Sequence, residues 1–290
     1  MNICIIGKNE DDNSWYLYEE FKKKDFSKVF LVDLPKLNVR ISNKRIGVNY
    51  KTDLNWDIYV MRSGVEDFPF SYLVTDILEE ESQVLPSSKA VLSCSDRGLL
   101  SKTFFDSKTI QPLTYISSSA GAAKRIAIKF KKFALKLEKH CGKGVAILEK
   151  PSGVSELLDV FSNLAQPFCI QRFIGGNIIK ALVVGDEVIG IREYPKPGEE
   201  KSNVGKKEYM RLKEEIKSDL LKLANHLKAS LFEVDLIEKN RRYFAIDVSL
   251  CPDLKMYANL SGKNIGAIFA DYILRNYSSN QSSLNLKPHK

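Results

Sequence analysis

Two carboxylates and a hydroxyl, Asp235, Asp247 and Ser249, fall in two runs that read as the arms of one β-hairpin, LFEVDLI over 231–237 and YFAIDVS over 243–249. Both runs alternate apolar with other residues at the strand period, and the connection 238–242 carries Asn240 at a turn. Side chains alternate faces along a strand. An odd number of unpaired residues therefore brings Asp235 and Asp247 to one face, with Ser249 one pleat further on, whereas an even number separates them. Carboxylates about 4 Å apart repel by roughly 4 kcal/mol at an effective dielectric of about 20. Such a pair calls for a proton or a cation between its members. Oxygen donors of this kind suit Mg²⁺ or Mn²⁺, which bind through one or two carboxylates while substrate phosphates fill other positions. The plain alternative is a half-exposed hairpin with ordinary surface acids.

The chain that must position these residues has 290 of them, 44% hydrophobic and 10% aromatic, enough for two or three compact units with their own cores. No apolar run approaches a membrane span, and MNICIIGKNEDD passes from a short strand-like run straight into acids, which suggests no secretion signal. Cys4, Cys94, Cys141, Cys169 and Cys251 are scattered without CxxC spacing, as expected of reduced thiols in the cytoplasm. His140, His226 and His289 form no cluster, which leaves a zinc site or a histidine-based triad little support; His226 is read as structural. The net charge of +8 admits a polyanionic partner or a cleft that holds phosphates. Because the basic residues are dispersed among apolar residues and acids, a dedicated nucleic-acid-associated protein is the weaker reading, and no nucleic acid or membrane partner is expected.

Strand-like runs at 3–6, 29–32 and 58–61 with a helix near 15–24 indicate a small N-terminal α/β unit. A helix over 70–81 and an exit at 83–88 place a boundary near residue 90. Helices near 99–107 and 118–129, a turn at Pro112 and strands at 133–137 and 145–148 form a second unit. A third opens with a strand at 168–172 and a hairpin, 179–184 and 188–192, around Gly185-Asp186-Glu187. Leu212, Ile216, Leu220, Leu223 and Leu227 recur at helical spacing and predict a helix over 208–228. The acid-bearing hairpin follows, then a helix over 265–274. The resulting division is 1–90, 91–165 and 166–277, with a frayed tail over 278–290.

The ordered set CSDRGLLSKTFFDSKTIQPLT, FALKLEKHCGKGVAIL, FCIQRFIGG, ALVVGDEVIGIREY, KSNVGK, FEVDLIE and FAIDVSLCPDL resembles the ATP-grasp ligases, and within them the RimK-like carboxylate–amine ligases of the glutamate ligase type. The resemblance spans most of the chain, from about Asp57 to about Leu274, and rests on motif order rather than on one rigid signature. It implies an α/β (α+β) ATP-grasp fold with a small N-terminal pre-ATP-grasp domain. It further implies that Lys136 meets nucleotide phosphates, covered by amides of the turn holding Gly142 and Gly144. Arg97 stands where the family usually has a lysine, and Lys102 is close in sequence. Gln171, Arg172, Phe173 and Ile174 match the hinge beside adenine. Ile178 and Lys180 replace an Asp and an Arg often found there, Lys180 keeping a positive charge.

Arg192 and Asn203 resemble the family's pair near the transferred phosphoryl group. Asp235, Asp247 and Ser249 fall at the spacing of its metal-binding acid, second acid and asparagine. Arg62 matches an arginine that faces the cleft, where it binds a substrate carboxylate or pairs with Glu66. The function implied is an ATP- and Mg²⁺-dependent (or Mn²⁺-dependent) ligase that forms an amide through an acylphosphate. It adds glutamate or another amino acid to a small-molecule, protein, carrier or coenzyme acceptor. A homo-oligomeric state is left open. The departures at Arg97, Ile178, Lys180 and Ser249 keep a second reading alive, a catalytically weakened nucleotide-binding regulatory protein.

Overall fold

The structure is a computed structural model that describes residues 1–136, 145–149, 154–162, 167–194 and 205–278. The expectations for Gly142, Gly144, Asn203 and nearly all of the tail lie outside the described residues.

The first unit runs β1 (Asn2–Gly7), α1 (Asp12–Lys22), β2 (Lys28–Asp33), β3 (Asn38–Ile41), β4 (Ile46–Tyr50), β5 (Thr52–Asp53), β6 (Ile58–Met61), α2 (Phe70–Glu79) and β7 (Gln83–Leu85). Its main sheet is parallel, in the order β2-β1-β6-β7, while β3, β4 and β5 form a small antiparallel sheet. The central strands β1 and β6 are continuous apolar runs because both faces of a parallel sheet are covered. Asp11 caps α1 by accepting from the Asn13 and Ser14 amides. The sequence 83–88, expected only as an exit, supplies the edge strand β7, too short to show a period.

Next come α3 (Ser88–Ser95), α4 (Arg97–Asp106), β8 (Thr114–Ser117), α5 (Ala120–Ala127), β9 (Lys132–Lys136), β10 (Val145–Glu149), α6 (Val154–Ser162) and β11 (Phe168–Arg172). The four strands make an antiparallel sheet, β10-β9-β11-β8, packed through Phe133, Leu135, Phe168 and Ile170 on Ala123 and Ala127 of α5 and Leu158 of α6. The rest is β12 (Asn177–Val184), β13 (Glu187–Tyr194), β14 (Lys206–Met210), α7 (Glu214–Leu227), β15 (Leu231–Lys239), β16 (Arg242–Ser249), α8 (Leu254–Ser261) and α9 (Ile265–Tyr277). Its five strands form an antiparallel sheet in the order β14-β13-β12-β15-β16.

That five-stranded sheet organises the molecule. One face, with Ile179, Ala181 and Val183, packs on Leu220, Leu223 and Leu227 of α7 and on Ala90, Leu100 and Phe104 of α3 and α4. On the other face, Leu182, Val184, Ile189 and Ile191 meet Leu254 and Tyr257 of α8 and Phe269 and Ile273 of α9, in a core continuous with Leu17 and Phe21 of α1 and Ile3 and Ile5 of β1. Further along this second face, Ile178, Lys180, Asp235 and Ile237 are uncovered by helices and look across a cleft at the four-stranded sheet.

Two expectations change. The helix expected over 208–228 begins at Glu214, because 206–210 pairs with β13 as a strand; Leu212 still enters the core, from the link between them. The helix α4, expected with the second unit, instead buries its apolar side against α7 and the five-stranded sheet, as does α3, which the sequence reading did not foresee. Helical spacing marks an apolar side but not the element that covers it.

The hairpin between β12 and β13 turns on Gly185 and Asp186 alone, with Gly185 at φ +58°. A Cβ there would lie 2.6 Å from the Tyr272 ring, besides straining the backbone. Gly185→Ala should therefore cost roughly 1–3 kcal/mol of stability. Urea denaturation measures it, and an unchanged midpoint would contradict the stated role.

Candidate active site

Asp235 and Asp247 face each other directly across β15 and β16. The turn joining these strands leaves out only Asn240 and Arg241, both at positive φ, as in the tight turns that suit hairpins. Such an even turn would set Asp235 against Ile246 and send Asp247 to the far face. A bulge supplies the missing odd residue. Between the pairs Leu236–Ala245 and Asp235–Asp247 the register slips by one, so Ile246 and Asp247 together oppose Asp235. The Ile246 side chain lines the cleft, and its carbonyl accepts from Lys136 Nζ at 2.7 Å.

Three cations surround the acid pair. Lys180 is opposite Asp235 on β12, with Nζ 2.8 Å from Asp235 Oδ1 and 2.8 Å from Glu233 Oε1. Arg97, the first residue of α4 and held there by the Asp96 cap, pairs with Asp247. Lys136 ends β9 and is only 5% exposed. Burial pushes the Asp235 carboxyl above the usual carboxylate range; Lys180 opposes this, and Glu233 and Asp247 reinforce it. Burial also works to raise Asp247, but Arg97 and Lys136 outweigh it and hold that carboxyl below its ordinary value. Burial lowers Lys136 below an ordinary lysine, with Asp247 pulling the other way.

The cleft behind these charges has a volume of about 240 Å³. Ala134, Val145 and Ile147 of the four-stranded sheet line one wall, and Ile178, Ile237 and Ile246 of the five-stranded sheet line the other. A slot between two apolar walls suits a flat ring. Gln171, Arg172, Phe173 and Ile174 run along its end. Gln171 donates to Thr114 Oγ1 at 2.9 Å, the Arg172 amide donates to the Leu113 carbonyl at 2.8 Å, and the Lys132 ammonium stands 4.4 Å from the centre of the Phe173 ring.

The cleft thus gathers Lys136, the 171–174 segment, Lys180, Asp235 and Asp247, with Arg97 attached through Asp247. Other expected site residues stand elsewhere. Lys102 pairs with Asp106 on the outside of α4, because five helical residues rotate it about 140° from Arg97. Arg192 lies on the opposite face of the five-stranded sheet from Lys180 and bonds Glu238 at 2.8 Å; its neighbour Glu193 is the residue that lines the cleft. Ser249 accepts from the Cys251 amide and borders a small separate cavity with Ser63 and Gly64.

Arg62 is 2% exposed and pairs with Asp11 at 3.0 Å, while Glu66 pairs with Lys8. The Arg62 Nη2 also donates to the Pro252 carbonyl at 3.1 Å, so the guanidinium fastens the first unit to the segment just past the acid-bearing strand. The sequence reading passed over Glu193 and Glu233. Alternation along β13 and β15 marks both as facing the same side as Ile191 and Asp235, once the register is known.

The RimK-like ATP-grasp domain family matches residues 108–273, more than half of the chain, and the chain belongs to that family. A probable alpha-L-glutamate ligase of Pseudomonas fluorescens is 29% identical over 153 residues, which are 50% of this chain and 51% of that protein, so the chain spans about half the length of such relatives. A probable alpha-L-glutamate ligase 2 of Hahella chejuensis is 23% identical over 291 residues, covering 95% of this chain and 96% of that one. The ATP-grasp ligase PsnB, complexed with minimal precursor, Mg and ADP, superposes with a TM-score of 0.70 at 15% identity, over 95% of this chain and 98% of that one. This last likeness establishes the ATP-grasp fold.

ATP-grasp ligases use ATP and Mg²⁺, and the donor set here fits such an ion. Among the described residues no three acids, histidines or cysteines converge as a self-sufficient metal cage. The facing pair Asp235 and Asp247, with side chains 32% and 24% exposed, instead matches an ion that takes two carboxylates and completes its shell with phosphate oxygens. No helix among the described residues is long and apolar enough to cross a membrane.

Lys136→Met should leave stability unchanged or raised, since a buried cation gives way to an apolar side chain of similar length, while ATP binding weakens about tenfold or more. Thermal unfolding and calorimetric titration with ATP separate the two effects. A second expectation concerns the Arg62 clamp. Burial acts to raise Asp11, but Arg62, Ser14 and the Asn13 amide hold it below the usual carboxylate range. The stability it confers is complete above the unfolded value of about 4 and is lost as pH falls through the lower folded value. The excess urea midpoint of the native protein over Asp11→Asn should therefore shrink on acidification; a gap independent of pH would contradict the ion pair.

Proposed function

We propose that the protein is an ATP- and Mg²⁺-dependent ligase that joins a carboxylate to an amine through an acylphosphate. The observation that carries this reading is the arrangement of one cleft: an acid pair ringed by Lys136, Arg97 and Lys180 at one end, and an apolar slot with a backbone hinge at the other. The 171–174 segment and the apolar walls hold the adenine, and the three cations offset charge on the triphosphate. Asp235 and Asp247 would hold Mg²⁺, which, when bound, neutralises charge between the β- and γ-phosphates. A substrate carboxylate oxygen attacks the γ-phosphorus and the bond to ADP breaks. An amine nitrogen then attacks the acyl carbon, phosphate leaves with the carboxylate oxygen, and the nitrogen gives up a proton. Positioning and electrostatics account for the rate, and no protein nucleophile takes part.

The names of the two relatives support glutamate as one substrate, and the peptide precursor bound to PsnB supports a peptide or carrier acceptor. The net charge of +8 agrees with an anionic acceptor. For Asn203 the role near the transferred phosphoryl group rests on the family resemblance alone, whereas the Arg192–Glu238 pair on the far face argues against that role for Arg192. One observation favours the second reading, a nucleotide-binding protein of little turnover: each acid is already engaged by a cation.

Purified protein given ATP, Mg²⁺, amino acids and glutamyl or peptide acceptors should release ADP only with a true substrate pair. Silence across the panel with intact ATP binding would favour the second reading. Asp235→Ala and Asp247→Ala should each abolish ATP-dependent turnover, and Ser249→Asn should preserve or raise it. Full activity in either alanine variant would sink the assignment.

A further inference from the structure

We infer that Glu233, fixed by Tyr257, is a positioning residue that gives the Lys180 ammonium a second anionic partner beside Asp235 and thereby sets the affinity of the cleft for a divalent cation. This rests on the proposed function, in which Asp235 and Asp247 take the ion.

Glu233 and Asp235 are alternate residues of β15 and share a face, and Lys180 reaches both at 2.8 Å from the neighbouring strand. The two acids differ in surroundings. Asp235 opens into the cleft, whereas the Glu233 side chain is only 10% exposed, and its second oxygen accepts from the hydroxyl of Tyr257, a fully buried residue of α8, at 2.9 Å. With both carboxylate oxygens engaged, Glu233 is kept from turning into the cleft as a third ligand.

A divalent ion arriving at Asp235 must displace or repel the ammonium bound there. With Glu233 present, Lys180 keeps an anionic partner when it lets go of Asp235, and its charge stays balanced. Without that carboxylate, the ammonium has Asp235 alone and competes for it with the ion. A buried ion pair adds little to net stability compared with apolar replacements, so stability alone is a weak account of the arrangement.

The test measures Mn²⁺ binding to nucleotide-free protein by the electron paramagnetic resonance of free Mn²⁺, with thermal unfolding as a check on the fold. Glu233→Gln keeps the shape but removes the charge and should weaken Mn²⁺ binding about tenfold. Adding Lys180→Met to that variant removes the competitor and should return binding to within about threefold of the native protein. Tyr257→Phe should shift affinity the same way by a smaller factor, and supplies the reading should Glu233→Gln fail to fold. Native-like Mn²⁺ binding in Glu233→Gln, or in Tyr257→Phe where only that variant folds, would overturn the inference, as would a loss that Lys180→Met does not restore. If the native protein binds no Mn²⁺, or binds it undiminished in Asp235→Ala and Asp247→Ala, the metal assignment itself fails and this inference with it. Native binding lost in those alanine variants, but not in Glu233→Gln, overturns the positioning role alone.

Discussion

Two carboxylates facing each other across adjacent strands are the constraint on which the cleft depends. Asp235 and Asp247 sit in register, and each is matched by a cation from a different part of the chain: Lys180 from the neighbouring strand and Arg97 from the start of α4. Lys136 comes from the opposite sheet and binds the carbonyl freed by the bulge at Ile246. Charge balance thus ties three separate elements to one hairpin. The groups that balance this repulsion are of the kinds that a phosphate chain and a cation require.

The five-stranded sheet can carry such charges because its two faces are treated differently. Apolar side chains and helices cover most of one face and part of the other. The uncovered part begins where Lys180 and Asp235 replace Leu182 and Leu231 as the inward side chains. Glu233 stands at that border, and Tyr257 reaches it from the covering helix. Arg62 extends the same logic to the first unit, since its buried guanidinium clamps Asp11 to the Pro252 carbonyl just past the acid-bearing strand. The first unit therefore supports the sheet beside the cleft, through a shared apolar core and a charged clamp.

Much of this was legible in the amino-acid order. The runs at 3–6 and 58–61 are apolar enough to mark strands of an α/β unit, and the hairpin bearing Asp235 and Asp247 declares itself by alternation. What escaped depends on register and on partners. Nothing in AIDVS marks Ile246 as an extra residue, yet the bulge there decides the face of Asp247. Arg192 and Glu193 are adjacent and both charged, and only the pairing of β13 with β12 shows that Glu193 lines the cleft. Lys102 was attractive for its closeness to Arg97 in sequence, but helical rotation turns it outward.

The bulge at Ile246 acts on both ends of the cleft. In a regular hairpin each residue opposite Asp235 offers one side chain, and its carbonyl is either committed to the ladder or turned away from the cleft. The extra residue lets one position present three groups at once: the Asp247 carboxylate, the Ile246 side chain against the apolar slot, and the Ile246 carbonyl that receives Lys136. The charged and apolar ends of the cleft meet at this point. On the proposed function, a ligand with a flat ring at one end and phosphates at the other would lie across this single irregularity in β16.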